Sequence, residues 1–159
     1  MRKISKTDEP VEVMRVTNAI LILDENYVLQ LRSNDPNIPA PGRWGFFGGG
    51  IEKEESPEQA IKREILEELS IEPAKYHFLW EVDYFAEENQ VAVRNWFFVA
   101  DVTEVWSNYR LGEGADVRAF KYEELKDLNF VKIMRKQIER FHPQKEFYRG
   151  KFGEVGSGG

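Results

Sequence analysis

Glu64, Glu67 and Glu68 stand at positions i, i+3 and i+4 of a segment with helical patterning. At about 100° per residue, Glu68 falls about 40° to one side of Glu64 and Glu67 about 60° to the other. The three carboxylates therefore share one narrow face. Ile61, Ile65, Leu66 and Leu69 cover the arc beside it, so the apolar side is expected to pack on a sheet and the acidic side to border the core edge. A charged helix face is most often merely solvated. Here Glu64 and Glu68 form a like-charge pair one turn apart, which costs about 0.2–0.5 kcal/mol, and no lysine is mixed into that face. Gathered carboxylates suit a hard cation that prefers oxygen ligands. Just before the helix, Gly48-Gly49-Gly50 permits a close backbone approach and can add carbonyl ligands. A glycine triplet alone is more often only a turn.

The elements that must position these groups are legible around them. Residues 11–23 end in a β-branched run, Ile20-Leu21-Ile22-Leu23, which predicts a buried strand. Asp24-Glu25-Asn26 is a turn, and Tyr27–Arg32 the returning strand. Residues 33–43, rich in Pro, Asn and Gly, form a long loop of the kind that often binds ligands. Trp44–Phe47 is short and apolar. Ser56 as N-cap, Pro57 in the first turn and Gln59 as the reciprocal cap predict a helix over Pro57–Leu69. Tyr76–Ala86 and Val91–Val102 read as aromatic-rich strands, Ser107–Asp116 as a polar loop and Val117–Tyr122 as a last strand. Phe130–Phe141 is an amphipathic helix ended by Pro143. This order predicts an α/β fold, a mixed β-sheet flanked by helices, one on each face. Residues 1–10 form a flexible N-terminal segment, 11–142 the domain, and 143–159 a polar tail expected to be loose from Gln144.

The chain has 159 residues, enough for one domain with its own core. It contains no cysteine, which excludes disulfides, thiolate metal sites and cysteine nucleophiles. The basic start runs into Thr7-Asp8-Glu9-Pro10, so it does not read as a signal peptide, and no apolar run approaches membrane-spanning length. A cytoplasmic protein with no membrane partner is expected. The net charge of −6 disfavours duplex nucleic acid as a partner. It also requires that a phosphate-bearing substrate be approached through a cation that inverts the local charge.

Gly49-x5-Glu55-x7-Arg63-Glu64-Ile65-x-Glu67-Glu68-x-Ser70-Ile71 resembles the Nudix box, G-x5-E-x7-R-E-U-x-E-E-x-G-U with U aliphatic. Six fixed Gly, Glu and Arg positions match, an agreement expected by chance at about one start in 10⁷. The departure is Ser70 in place of glycine, where a left-handed residue following the helix is expected to cost about 1 kcal/mol. The resemblance implies a Nudix-type α/β/α sandwich and Mg²⁺, with Mn²⁺ as a substitute, held by Glu67 and Glu68. Glu64 is implied as a metal ligand or general base, and the Gly48 carbonyl as a further ligand. Glu55 and Arg63 would pair to hold the loop on the helix, with Gly49 as a structural glycine. Glu113, in the late loop, matches a further metal-binding or basic glutamate of MutT-type members, with Asp116 the nearby alternative.

The resemblance further implies substrate contacts at Arg32 (phosphate) and Asn129 (base). Asn129 is also an ordinary N-cap. Trp44 and Phe46 are candidates for stacking on a base, against the commoner reading of core aromatics. His77 and His142 stand isolated in the sequence, so neither is expected to be catalytic. The implied activity is magnesium-dependent hydrolysis of a diphosphate linkage in a nucleoside diphosphate derivative. A (deoxy)nucleoside triphosphate, oxidised ones included, comes first, giving monophosphate and pyrophosphate. Nucleotide sugars come second, since the Arg32–Trp44 loop is similar to the segment before the box in GDP-mannose hydrolases. Those carry a degenerate box, whereas all three helix glutamates are present here. A nucleotide-sensing module without turnover would be expected to have lost them. An isopentenyl-diphosphate isomerase-like enzyme would need a cysteine, and a decapping enzyme a basic RNA track. Many relatives are dimers, and a homodimer is compatible with the chain, although no interface is legible in it.

Overall fold

Apolar residues in the central strands run continuously rather than alternating, as in a sheet covered on both faces. In the computed structural model, which describes residues 12–37, 41–87, 89–112 and 116–149, this is the arrangement found. The strands are β1 (Val13–Leu23), β2 (Asn26–Leu31), β3 (Trp44–Gly45), β4 (Phe47–Gly50), β5 (His77–Ala86), β6 (Val91–Asp101) and β7 (Asp116–Phe120). They form one mixed sheet with the central order β3-β2-β1-β6-β5, in which β4 also pairs with β1 and β7 with β2. Only β1 and β6 run parallel, over Val13–Ile22 against Ala92–Asp101. Successive residues point to opposite sides. Ile20, Ile22, Tyr27, Leu29, Phe97 and Val99 face one helix, α2 (Lys132–Phe141), through its Ile138 and Phe141. Ala19, Leu21, Val28, Phe98 and Ala100 face the other, α1 (Pro57–Leu69), through Ile61, Ile65 and Leu69. The mixed sheet with a helix on each face is the expected architecture. No helix among the described residues is long and apolar enough to cross a membrane.

The β1–β2 hairpin is paired only near its turn, at Leu21–Leu23 with Asn26–Val28. Beyond that the two strands diverge, and residues 44–50 fill the fork: β3 pairs with the end of β2 and β4 with Val16–Ala19 of β1. Phe46, at the break between β3 and β4, has its carbonyl satisfied by Gln30 Nε2 at 3.0 Å. The fork is what places the glycine strand β4 beneath α1.

Several boundaries differ from expectation. Helix α2 begins at Lys132 rather than Phe130. Residues 129–131 stay extended because Trp44 N–H donates to the Asn129 carbonyl and Val131 N–H to the Trp44 carbonyl, both at 2.8 Å. Asn129 is therefore a strand-like neighbour of β3, and Val131 is the N-cap residue. A 3-10 turn, Trp106–Asn108, interrupts the polar loop. The segment expected to be loose from Gln144 is helical over residues 145–149. Tyr148 packs on the α2-side core, and Lys145 and Arg149 pair with Glu25 in the β1–β2 turn. His142 is not isolated: its Nδ1 lies 2.7 Å from the Tyr27 hydroxyl, and its ring stacks on Tyr122. The N-terminal segment 1–10 and the end of the tail, 150–159, lie outside the described residues.

Helix α1 starts and stops as its sequence dictates. Ser56 Oγ accepts from Gln59 N–H, Gln59 Oε1 accepts from Ser56 N–H, and Pro57 opens the first turn. At the other end Ser70 adopts the left-handed conformation, φ 57° and ψ 32°, with its N–H on the Leu66 carbonyl. A side chain is disfavoured there. Ser70→Gly is expected to raise the unfolding free energy by about 0.5–1 kcal/mol, once glycine's greater unfolded-state freedom is set against the relieved strain. Urea denaturation with an unchanged slope and a higher midpoint would show this, and an unchanged midpoint would refute it.

Candidate active site

The buried side of α1 carries Ala60, Ile61, Ile65 and Leu69, so Glu64 and Glu68 project from the middle of the inward face rather than from its border. Leu66, expected among the apolar group, is 44% exposed. The reason lies in β4. Opposite the two glutamates the strand is glycine and offers no side chain, so the carboxylates lie directly against its backbone. A Cβ at Gly49 would come within 2.5 Å of Glu64 Oε1. A Cβ at Gly48 would strike the Thr17 carbonyl at 2.0 Å, and its φ of 156° is one that glycine tolerates.

Glu68 takes hydrogen bonds from the Gly48 backbone and, at 3.4 Å, from Gln30 Nε2. Its carboxyl group also bonds that of Glu64. Burial first, and then the neighbouring charge and hydrogen bond of Glu64, hold the Glu68 pKa well above the usual carboxylate range. Two carboxylates in contact and partly withdrawn from water form a donor set that suits a cation.

Arg63 organises the rest. Its Nε and Nη2 grip Glu55 at 2.8 and 2.9 Å, Nη2 also reaches the Gly50 carbonyl at 3.0 Å, and Nη1 contacts Glu64 at 2.9 Å and Glu67 at 3.3 Å. Glu55 Oε1 in turn accepts from Glu52 N–H at 2.9 Å. One guanidinium thus ties the loop, the glycine strand and the helix together. Its own pKa is raised, by Glu55 above all, and that of Glu55 is held down at about 2 by Arg63 and the Glu52 backbone.

Glu67 is more open, with a side chain 57% exposed. Among the described residues no three acidic or histidine side chains are already closed into a ligand cage. The fit to a divalent cation rests instead on the adjoining Glu64 and Glu68 carboxyl groups, with Glu67 beside them on the same helix, and oxygen donors of this kind suit magnesium or manganese. Glu113 lies outside the described residues. Its described neighbour Gly112 donates its N–H to the Glu68 carbonyl at 2.7 Å, and a Cβ there would come within 2.8 Å of the Glu67 carbonyl.

An open cavity of about 340 Å³ adjoins the glycine strand on the α2 side of the sheet. Arg32, Phe46 and Gly48–Gly50 line it. Burial lowers the Arg32 pKa, and the charge of Glu68 opposes that, so Arg32 lies within reach of the glutamate pair. Two of the expected substrate contacts do not reach this cavity. Trp44 is a core residue, packed edge-on against Phe120 at 4.9 Å with Arg118 over its ring. Asn129 presents its carbonyl to Trp44 and is not among the lining residues. Three residues not singled out from the sequence do line the cavity: Asn18, Asn95 and Tyr84. Their signal was an asparagine in each of two apolar strands, where a buried amide needs a partner.

A profile described as the NUDIX domain matches residues 13–141. The chain is similar to the nucleoside triphosphatase NudI of Salmonella agona (strain SL483), with 41% identity over 49 residues, 31% of this chain and 35% of that protein. The match thus spans about a third of the length of that curated relative. Among solved structures it resembles a MutT NUDIX hydrolase from Burkholderia pseudomallei, at 24% identity with a TM-score of 0.67, covering 80% of this chain and 97% of that one. It also resembles a MutT protein from Methanosarcina mazei Go1, at 20% identity with a TM-score of 0.74, covering 87% and 99%. At these identities the structural likeness is one of fold.

The Arg63–Glu55 grip has a pH signature. The Glu55 carboxyl falls from its ordinary 4.5 to about 2 in the folded protein, so folding favours its ionised form. The resulting stabilisation is present above pH 4.5 and is lost as pH falls toward 2. Glu55→Gln is expected to lower the melting temperature at neutral pH and to bring mutant and wild type together toward pH 2. A mutant deficit that persists undiminished at low pH would contradict it.

Proposed function

The chain belongs to the NUDIX family, and from that premise we propose that it hydrolyses a diphosphate linkage in a nucleoside diphosphate derivative, with magnesium as its resident cation and manganese as a substitute. The first substrate class is a (deoxy)nucleoside triphosphate, intact or oxidised, giving the monophosphate and pyrophosphate. The observation that carries this reading is the Glu64–Glu68 pair laid against the glycines of β4, which also line a ligand-sized cavity. The complete set of helix glutamates and the similarity to a nucleoside triphosphatase support a triphosphate over a nucleotide sugar. A cytoplasmic setting goes with this reading.

Glu64, Glu67 and Glu68 would hold the cation, with the Gly48 carbonyl and Glu113 as further ligands. When bound, such an ion neutralises the diphosphate and lowers the pKa of a coordinated water. One helix glutamate accepts the proton of the attacking water as its oxygen bonds to phosphorus and the bridging P–O bond breaks. Arg63, fixed by Glu55, holds Glu64 and Glu67 in place. Arg32 sits on the cavity wall near Glu68, where it can meet a phosphate oxygen.

The test is phosphate and pyrophosphate release from nucleoside triphosphates, oxidised nucleotides, nucleotide sugars and dinucleotides, with and without magnesium. Magnesium-dependent pyrophosphate release from triphosphates is expected. Glu67→Gln and Glu68→Gln should each lower it by at least about a hundredfold without unfolding the protein. Release from nucleotide sugars alone would move the substrate to that class. Wild-type rates in both variants would overturn the site.

A further inference from the structure

The cavity wall away from the glutamates is built differently from the phosphate end. Arg32 is the only charged side chain among the described residues that line the cavity, and it lies at the glutamate end. Val16 and Val93 of the sheet and Ile133 and Met134 of α2 also line the cavity. Two apolar walls joined by a polar edge suit a flat heteroaromatic ring, whereas a sugar would demand hydrogen-bonding groups on more than one side.

The polar edge is a relay of side chains. Asn18 Nδ2 donates to Asn95 Oδ1 at 3.2 Å, and Asn95 Nδ2 donates to the Tyr84 hydroxyl at 3.0 Å. Asn95 is fully buried, so the relay supplies its amide with partners on both sides and fixes its orientation. Asn18 is 7% exposed and lines the cavity. Its Oδ1 lies beside Gly48, where a Cβ would approach within 2.7 Å, and among the described residues it accepts no hydrogen bond. An amide held at one end and unsatisfied at the other is pre-organised for a ligand.

From this juxtaposition we infer that Asn18 is the specificity-determining contact for a nucleobase edge, with Asn95 and Tyr84 as the positioning residues that aim it. The inference rests on the cavity being the substrate site proposed above, and it makes the ligand a nucleotide read through its base rather than through a second sugar.

Equilibrium binding of AMP, GMP, CMP, UMP and ribose 5-phosphate to the full chain, by calorimetry, tests it. At least one monophosphate should bind roughly tenfold tighter than ribose 5-phosphate, the gain one net hydrogen bond supplies. Asn18→Leu should remove that advantage and leave ribose 5-phosphate binding unchanged. Tyr84→Phe, which keeps the ring, should reduce the advantage roughly threefold by loosening the relay. Equal binding of all five ligands overturns the inference, as does an equal loss of ribose 5-phosphate affinity in the variants. The two readings fail separately. Base-dependent binding without magnesium-dependent turnover would sink the hydrolase and leave the base contact standing. Turnover indifferent to base identity and to Asn18→Leu would do the reverse.

Discussion

Two glutamates of one helix are turned inward on the glycines of β4, which have no side chains to receive them. That contact between Glu64, Glu68 and the Gly48–Gly49 backbone is the constraint on which the rest of the structure depends. Any Cβ at Gly49 would occupy the place of the Glu64 carboxylate. A like-charge pair in that position works against folding unless something positive meets it, and the protein supplies only part of the answer, through Arg63 on one flank and Gln30 on the other.

The fold exists to hold that strand in register. The β1–β2 hairpin opens into a fork, residues 44–50 fill it, and the two cores clamp the sheet from either side. Arg63 then locks the loop before the helix to the helix itself through Glu55 and Gly50. The same fork leaves the α2 face of β1 and β6 uncovered next to the glycines, and the cavity forms there. The carboxylate pair and the cavity thus lie on two sides of one short glycine segment.

Local chemistry made much of this legible. The capping residues Ser56, Pro57 and Gln59 set the bounds of α1, and the spacing of its acidic residues gathers Glu64, Glu67 and Glu68 on one face. Features that depend on distant partners were not legible. Nothing within α1 says that Glu64 and Glu68 point inward, because that follows from what lies opposite. The late start of α2 is likewise imposed by Trp44, which pairs with residues 129–131 and keeps them extended. Trp44 and Phe46, two residues apart on one segment, were equal candidates for stacking. Only the break at Phe46 separates them, sending Trp44 to Phe120 and leaving Phe46 on the cavity wall. The helical segment over residues 145–149 is not legible in the sequence, because its composition is polar and its ion-pair partner Glu25 lies more than a hundred residues away.

The most direct test of the central contact is the melting temperature of wild type and Glu68→Gln, each with and without magnesium. If the carboxylate pair is held for a cation, removing the Glu68 charge relieves repulsion above about pH 8, where that carboxyl is ionised, and the comparison is made there. Glu68→Gln should then melt above wild type in a chelator, while magnesium should raise wild type past a variant that no longer responds. A Glu68→Gln variant that melts below wild type without metal, and is stabilised by magnesium to the same extent, would contradict the account.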